Sequence, residues 1–209
     1  MQITVFGASG KVGSLVVEEA LRRGYTVTAF VHSHSLFAPS GKLGIVKGDI
    51  YNAEDVAKAL KGSDAVISTL GSWGTPGRDV LTAAMRAIIP AMTERSIRRV
   101  VTLTGSGAQA PDKPAGSGHR LFMRLLAPLP AGKVFRDGEA HMRLLAASDL
   151  DWTTLRSPVM NNFGKGSYRL DLKSGGPLAT INRKAVAAAL LDQLDSREFL
   201  DRAPIIHRN

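Results

Sequence analysis

Short apolar runs alternate with longer stretches in which apolar residues recur at helical spacing, and this alternation holds along nearly the whole chain. Residues 2–6 predict a first strand. Over 11–23, Val12, Leu15, Val16 and Ala20 fall on one helical face, and Gly24 supplies a C-terminal stop. β-branched residues over 26–31 predict a second strand; a loop over 36–44 holds Pro39 and two glycines, and 44–47 predicts a short third strand. Asn52 is placed to cap a helix over 53–60. The run 65–70 reads as a strand buried on both faces, the pattern of a parallel sheet. A long helix over 78–96 contains Pro90, where a kink is expected, and a fifth strand covers 99–104. Residues 112–118 read as a mobile Pro/Gly-rich loop. Helices over 119–126 and 137–147, a sixth strand over 152–156, a helix over 185–194 and a short strand over 204–207 complete the pattern.

Strands separated by roughly 20–40 residues, with helices between them, imply right-handed βαβ crossovers and therefore a doubly wound, mostly parallel sheet. There is no internal repeat and no linker, and 209 residues suit one domain. Residues from about 157 onward are less regular and are expected to form a small C-terminal cap over the carboxyl ends of the strands, where such sheets bind ligands.

Composition narrows the chemistry. The chain has no cysteine, which excludes disulfides, zinc fingers and a thiol nucleophile. Its net charge is +9, but the basic residues are scattered apart from Arg95, Arg98 and Arg99, and no nucleic-acid motif accompanies them. No nucleic-acid partner is expected. The first residues lack the basic start of a secretory signal, and no apolar run reaches the ~18 residues that would span a membrane. The expectation is a cytoplasmic protein with a small-molecule substrate and no membrane partner; the oligomeric state is left open.

The decisive stretch is Val5-Phe6-Gly7-Ala8-Ser9-Gly10-Lys11-Val12-Gly13. Its three glycines stand between the first strand and the first helix. Gly7 turns the chain off the strand, Gly10 lets backbone N–H groups approach a pyrophosphate, and Gly13 lets the helix pack close to the sheet. The helix N-terminus then directs its partial positive charge at the phosphates. This is the dinucleotide-binding turn of a Rossmann-type α/β fold.

The spacing is G-x-x-G-x-x-G, and here the sequence resembles the extended and atypical short-chain dehydrogenase/reductases. Within them it is most similar to the NAD(P)H-binding group that includes NmrA-like proteins and the biliverdin reductase B (flavin reductase)-like type. Gly48-Asp49-Ile50, Asp64-Ala65-Val66-Ile67, Asp149-Leu150-Asp151-Trp152-Thr153 and Leu155-Arg156-Ser157-Pro158 carry the resemblance through most of the chain. The resemblance implies that Gly7, Ala8, Ser9, Gly10, Lys11, Val12 and Gly13 hold the pyrophosphate. It places Asp49 and Ile50 beside the adenine, with Leu70, Gly71, Thr104 and Gly105 along the rest of the cofactor.

An acidic residue after the second strand would select NAD(H) by binding the ribose hydroxyls. None occurs between Ala20 and Gly48, and the strand runs into His32. The resembling family often has Arg there, and an imidazole can also hydrogen-bond a phosphate, so the sequence favours NADP(H) over NAD(H). His32 and His34 lack a third ligand nearby, so no metal is expected.

The Tyr-x-x-x-Lys pair of classical short-chain reductases is missing: none of Tyr25, Tyr51 and Tyr168 has Lys four residues later. Ser106, at the end of the fifth strand, and His141 are the candidate catalytic residues. Glu139, Asn161, Asn162 and Phe163 are candidate substrate contacts. The resembling flavin reductases carry a His near the start of the helix that holds His141, and this chain has Gly138 there. Two activities fit: an NAD(P)H-dependent reductase of flavins, quinones or similar planar acceptors, which needs no dedicated acid, or an NmrA-like NAD(P)-binding sensor without turnover.

Overall fold

The computed structural model describes residues 1–33, 36–72, 79–112, 116–126, 129–164, 166–173 and 179–209. The chain opens with β1 (Gln2–Phe6), α1 (Gly13–Arg22), β2 (Thr26–Val31), β3 (Leu43–Lys47), α2 (Ala53–Ala59) and β4 (Ala65–Ser68). It continues with α3 (Val80–Glu94), β5 (Arg99–Gly105), α4 (Ser117–Leu126), α5 (Pro130–Ala146) and β6 (Asp151–Ser157). The last elements are β7 (Val159–Asn161), β8 (Tyr168–Asp171), β9 (Thr180–Asn182), α6 (Arg183–Asp192) and β10 (Ile205–Arg208).

The central sheet has the order β3-β2-β1-β4-β5-β6-β10-β8. Every pairing is parallel except β10 with β8. The order reverses between β1 and β4, which opens a crevice beyond their carboxyl ends. This is the doubly wound Rossmann arrangement. The pleat sends successive side chains to opposite faces. Ile3 and Val5 of β1 join Val16, Val17 and Leu190 under α1 and α6, whereas Phe6 joins Ile88, Met92, Met142 and Trp152 under α3 and α5. Both layers are apolar, which is why β1 and β4 read as nearly continuous hydrophobic runs.

The differences from the sequence reading have local causes. α5 begins at Pro130, well before the expected 137, because Pro serves as a first helical residue and Gly132 and Gly138 mask the helical pattern. α3 runs on through Pro90, which is exposed, to Glu94; its expected start at 78 lies outside the described residues. Part of the loop expected over 112–118 lies outside them too. β7, β8 and β9 have only three or four residues each, too few for a period to show. Beyond β6, β8 and β10 extend the main sheet, and β7 pairs with β9 in a separate two-stranded ribbon.

Candidate functional site

The turn after β1 is tightly built. Gly7 has φ +78°, a conformation that favours glycine, and its carbonyl accepts the N–H of Gly10 at 2.9 Å. A Cβ at Gly13 would stand 2.0 Å from that carbonyl oxygen and 2.7 Å from Oγ1 of Thr69, so α1 approaches the turn only because residue 13 is glycine. Thr69, which the sequence reading missed, donates its hydroxyl to the carbonyls of Phe6 (3.0 Å) and Gly7 (3.2 Å) and buckles the turn to the end of β4. A Cβ at Gly10 would meet only the Gly7 carbonyl, at 3.1 Å. The outer side of Gly10 is thus open, the cradle a pyrophosphate requires. Ala8 and Val12 are buried in the core, so they can serve a ligand only through their backbone. Ser9 is half-buried and Lys11 exposed. The first turn of α1 has no acidic residue and no side-chain cap, so no side chain competes with an anion there, although the Ser14 N–H donates to the Gly10 carbonyl at 2.9 Å.

The neighbouring strand ends complete the crevice. His32 is exposed just past β2, and His34 lies outside the described residues. After β3, a Cβ at Gly48 would stand 2.6 Å from that of Asp55, so this segment too depends on glycine. The N–H of Asp49 donates to Asp55 at 2.9 Å, and its exposed carboxylate accepts the N–H of Tyr51 at 3.0 Å. Ile50 is buried. Past β4, Leu70 is half-buried and Gly71 faces open space.

A buried carboxylate locks this region. Asp137 of α5 is only 5% exposed. It accepts the hydroxyl of Ser72, the N–H groups of Leu81 (3.0 Å) and Thr82 (2.8 Å), and the hydroxyl of Thr82 (2.6 Å). It therefore caps α3 from another helix, while Asp79, the residue before α3, accepts the Tyr51 hydroxyl at 3.1 Å instead. The signal for Asp137 was present but indirect: an acidic residue on the apolar face formed by Val134, His141, Met142 and Leu145.

At the end of β5, Thr104 is buried against Gly138, where a Cβ would stand 2.4 Å from the Thr104 hydroxyl oxygen. Ser106 is half-buried and donates its N–H to the Ser157 carbonyl at 2.8 Å. A Cβ at Gly107 would lie 2.6 Å from the Phe135 ring. Glu139 accepts the N–H of Gln109 and Nη2 of Arg143, both at 3.2 Å. Arg156 is buried and donates to the carbonyls of Ala108 (3.1 Å) and Ala203 (2.8 Å), fixing the same loop from below.

His141 requires a correction. It is fully buried, with Nε2 3.2 Å from the Thr102 hydroxyl, and burial pushes its pKa down to about 4. A neutral imidazole sealed beneath the middle of β5 cannot pass a proton to a substrate, so the general-acid expectation fails there. Past β6, Asn161 accepts the N–H of Phe163 at 3.0 Å, and Asn162 accepts a guanidinium N–H of Arg183 at 2.7 Å. Phe163 itself is 81% exposed. A separate cavity of about 530 Å³, lined by Arg98, Asp149, Asp151, Trp152 and Asp201, lies at the amino-terminal ends of β5 and β6, opposite this crevice.

The sequence profile of the NAD(P)H-binding family matches residues 7–197. The chain belongs to this family. It is 29% identical over 210 residues to YwnB of Bacillus subtilis strain 168, covering 95% of this chain and 94% of that one. It is 28% identical to the 2-alkyl-3-oxoalkanoate reductase of Stenotrophomonas maltophilia over 81% of this chain, and spans about half (53%) of that protein. Among solved structures, the anaerobilin reductase ChuY of Escherichia coli O157:H7 superposes with a TM-score of 0.80 at 23% identity, covering 99% of this chain and 97% of that one. A short-chain dehydrogenase/reductase of Veillonella parvula in complex with NADP gives 0.76 at 19% identity, covering 99% and 94%. The structural likenesses show the Rossmann fold, and the family match makes it an NAD(P)H-binding one. No described helix is long and apolar enough to cross a membrane, and no described group of His, Asp and Glu is arranged to hold a metal.

Proposed function

We propose that the protein is an NAD(P)H-dependent reductase that delivers hydride to a flavin, quinone or similar planar acceptor, and that NADP(H) is its preferred cofactor. The carrying observation is the set of groups at the end of β5. Gly138 stands against Thr104, His141 is sealed, and the tyrosine hydroxyls are engaged elsewhere: Tyr25 with Asp195, Tyr51 with Asp79 and Tyr168 with Asp192. The hydroxyl of Ser106 is left to orient an acceptor or the cofactor carboxamide. Reduced nicotinamide, when bound, supplies the hydride. An acceptor whose reduced form takes its proton from water then needs no tyrosine relay, only binding and alignment. Gly7 to Gly13 would hold the pyrophosphate, Asp49 and Ile50 the adenine end, and Leu70, Gly71, Thr104 and Gly105 the remainder. Phe163, exposed just past β7, offers a flat surface for stacking, with Asn161, Asn162 and Glu139 at the margin of the acceptor site. The absence of any acidic residue from 20 through 48, with His32 at the end of β2, supports the choice of NADP(H).

The test is oxidation of NADPH and NADH in the presence of a panel of flavins and quinones, with thermal shift on each cofactor alongside. Turnover with at least one acceptor is the expected result. Tight cofactor binding with no turnover across the panel would assign a sensor role instead.

A further inference from the structure

Helix α4 leaves leucines in water. Leu121 and Leu125, one helical turn apart, are 58% and 68% exposed, and Leu129 just beyond the helix is 48% exposed. α4 packs against α5 and is the most sharply amphipathic of the longer helices. The charge around it has one sign. From 113 through 136 the sequence has five Lys or Arg and no Asp or Glu, and Arg124, Lys133 and Arg136 are exposed.

These features select among occupants. In a two-fold dimer the same patch meets itself, so each basic face would confront another. An anionic partner is required. Leu121 and Leu125 share one face of α4 and Leu129 follows just past its end, a row of exposed apolar side chains that suits a soft, extended surface better than a peptide. Exposed leucines on a helix flanked by cations, Arg124 on α4 and Lys133 and Arg136 on the adjoining α5, are suited to the headgroup region of a leaflet, with the leucines at the acyl boundary. Its ten residues are about half of what crossing a bilayer needs, so it would lie on the surface.

We propose that α4 docks the protein reversibly on an anionic lipid surface, with Leu121, Leu125 and Leu129 entering the leaflet and Arg124, Lys133 and Arg136 facing the headgroup phosphates. This revises the expectation of no membrane partner. Docking does not rest on the reductase reading. With that reading, it gains a consequence: α5, which carries α4, also reaches Thr104 at the end of β5, so a docked α4 brings the acceptor side of the crevice towards a pool of lipid-soluble quinones.

Cosedimentation of the full chain with vesicles of phosphatidylcholine alone, or mixed with phosphatidylglycerol, tests the proposal. Binding to the mixed vesicles only is expected, weakening as salt rises. Each cation held at an anionic surface contributes about fivefold to partitioning, so Arg124→Glu should cost at least about that factor. Leu121→Gln with Leu125→Gln should abolish cosedimentation, with melting temperature and NADPH affinity unchanged. Equal binding to both vesicle types, or binding to neither, overturns the proposal. So does a wild-type dimer in analytical ultracentrifugation that the double variant dissociates, which would assign the leucines to a second copy. Loss of turnover alone would count against the reductase reading and not against docking.

Discussion

The carboxylate of Asp137, carried on α5, accepts the backbone N–H of Thr82 at 2.8 Å and so caps α3 from outside that helix. The same carboxylate takes the Leu81 N–H and the Ser72 hydroxyl, which joins the start of α3 to the segment leaving β4. Asp137→Ala would remove the acceptor shared by two backbone N–H groups and the Ser72 and Thr82 hydroxyls, at a cost of about 1–3 kcal/mol. The expected fall in melting temperature is roughly 10 °C or less for a domain of this size. Asp137→Asn retains one carbonyl oxygen and should fall between Ala and wild type. An Ala variant that melts with wild type would show that the cap is dispensable.

Two glycines of the first turn should behave in opposite ways. At Gly13 an added Cβ would meet the Gly7 carbonyl oxygen at 2.0 Å, so Gly13→Ala must push α1 off the turn and should destabilise the fold by about 1–3 kcal/mol. At Gly10 an added Cβ would meet only the Gly7 carbonyl oxygen, at 3.1 Å, a contact relieved by a shift of a few tenths of an ångström, so Gly10→Val should fold with only a small loss of stability. It should nevertheless lose at least about a hundredfold in NADPH affinity, equivalent to about 2.8 kcal/mol. Thermal melts and calorimetric titration separate the two effects. A folded Gly10→Val protein with wild-type affinity would remove the pyrophosphate from this turn.

Much of this architecture was legible because it depends on local pattern. The strand–glycine–helix order of residues 2–23, the Asn52 cap of α2 and the apolar run of β4 each state their role within a few residues. The Asn52 carboxamide does accept the N–H of Glu54, at 2.9 Å. What sequence could not supply was contact across long separations. Thr69 bonds to Phe6 and Gly7 from 63 and 62 residues away, and Asp137 reaches Thr82 across 55. His141 failed for the same reason. A helical histidine near an expected site reads as a candidate acid until packing shows Thr102 against its ring and the side chain closed off from the surface.

That burial makes His141 a source of pH-dependent stability. Its pKa falls from an ordinary 6.5 to about 4 because burial penalises the charged ring. Between these values the unfolded chain binds a proton that the folded chain does not, so stability is greatest above pH 6.5 and is lost as pH falls towards 4. The slope is about 1.4 kcal/mol per pH unit within that window. His141→Leu should flatten this part of the profile, whatever its effect on stability at neutral pH. Urea denaturation at several pH values measures the slope. An unchanged slope in the variant would place the titrating group elsewhere.

Cofactor choice should turn on the exposed end of β2. Wild type is expected to bind NADPH more tightly than NADH, and His32→Asp should erase or invert the preference by setting a carboxylate against the 2′-phosphate. A tenfold ratio is only about 1.4 kcal/mol, well within the reach of one charge. Paired titrations with both cofactors give the ratio. A wild type that prefers NADH tenfold would show that His32 does not face the ribose.

The last prediction concerns hydride transfer without a tyrosine. Tyr168 lies on β8, and its hydroxyl is bound to Asp192 at the end of α6; burial and that carboxylate raise its pKa. Asp192 also pairs with Arg23 at 2.6 Å, beyond the C-terminal end of α1 and hence on the side of the sheet away from the Gly7 turn. Tyr168→Phe should therefore leave turnover nearly unchanged, although it removes a surface tether and can lower stability slightly. Loss of a true general acid typically costs about 10²–10⁴-fold, an effect too large to miss. Ser106→Ala should instead lower kcat measurably, since that hydroxyl stands at the end of β5 where the acceptor or the carboxamide is to be aligned. Raising the deuterium content of the solvent should barely slow either protein if the proton arrives from water after hydride transfer. Steady-state kinetics with the best acceptor would decide. Collapse of Tyr168→Phe beside a fully active Ser106→Ala would move the chemistry away from β5 and restore a relay through tyrosine.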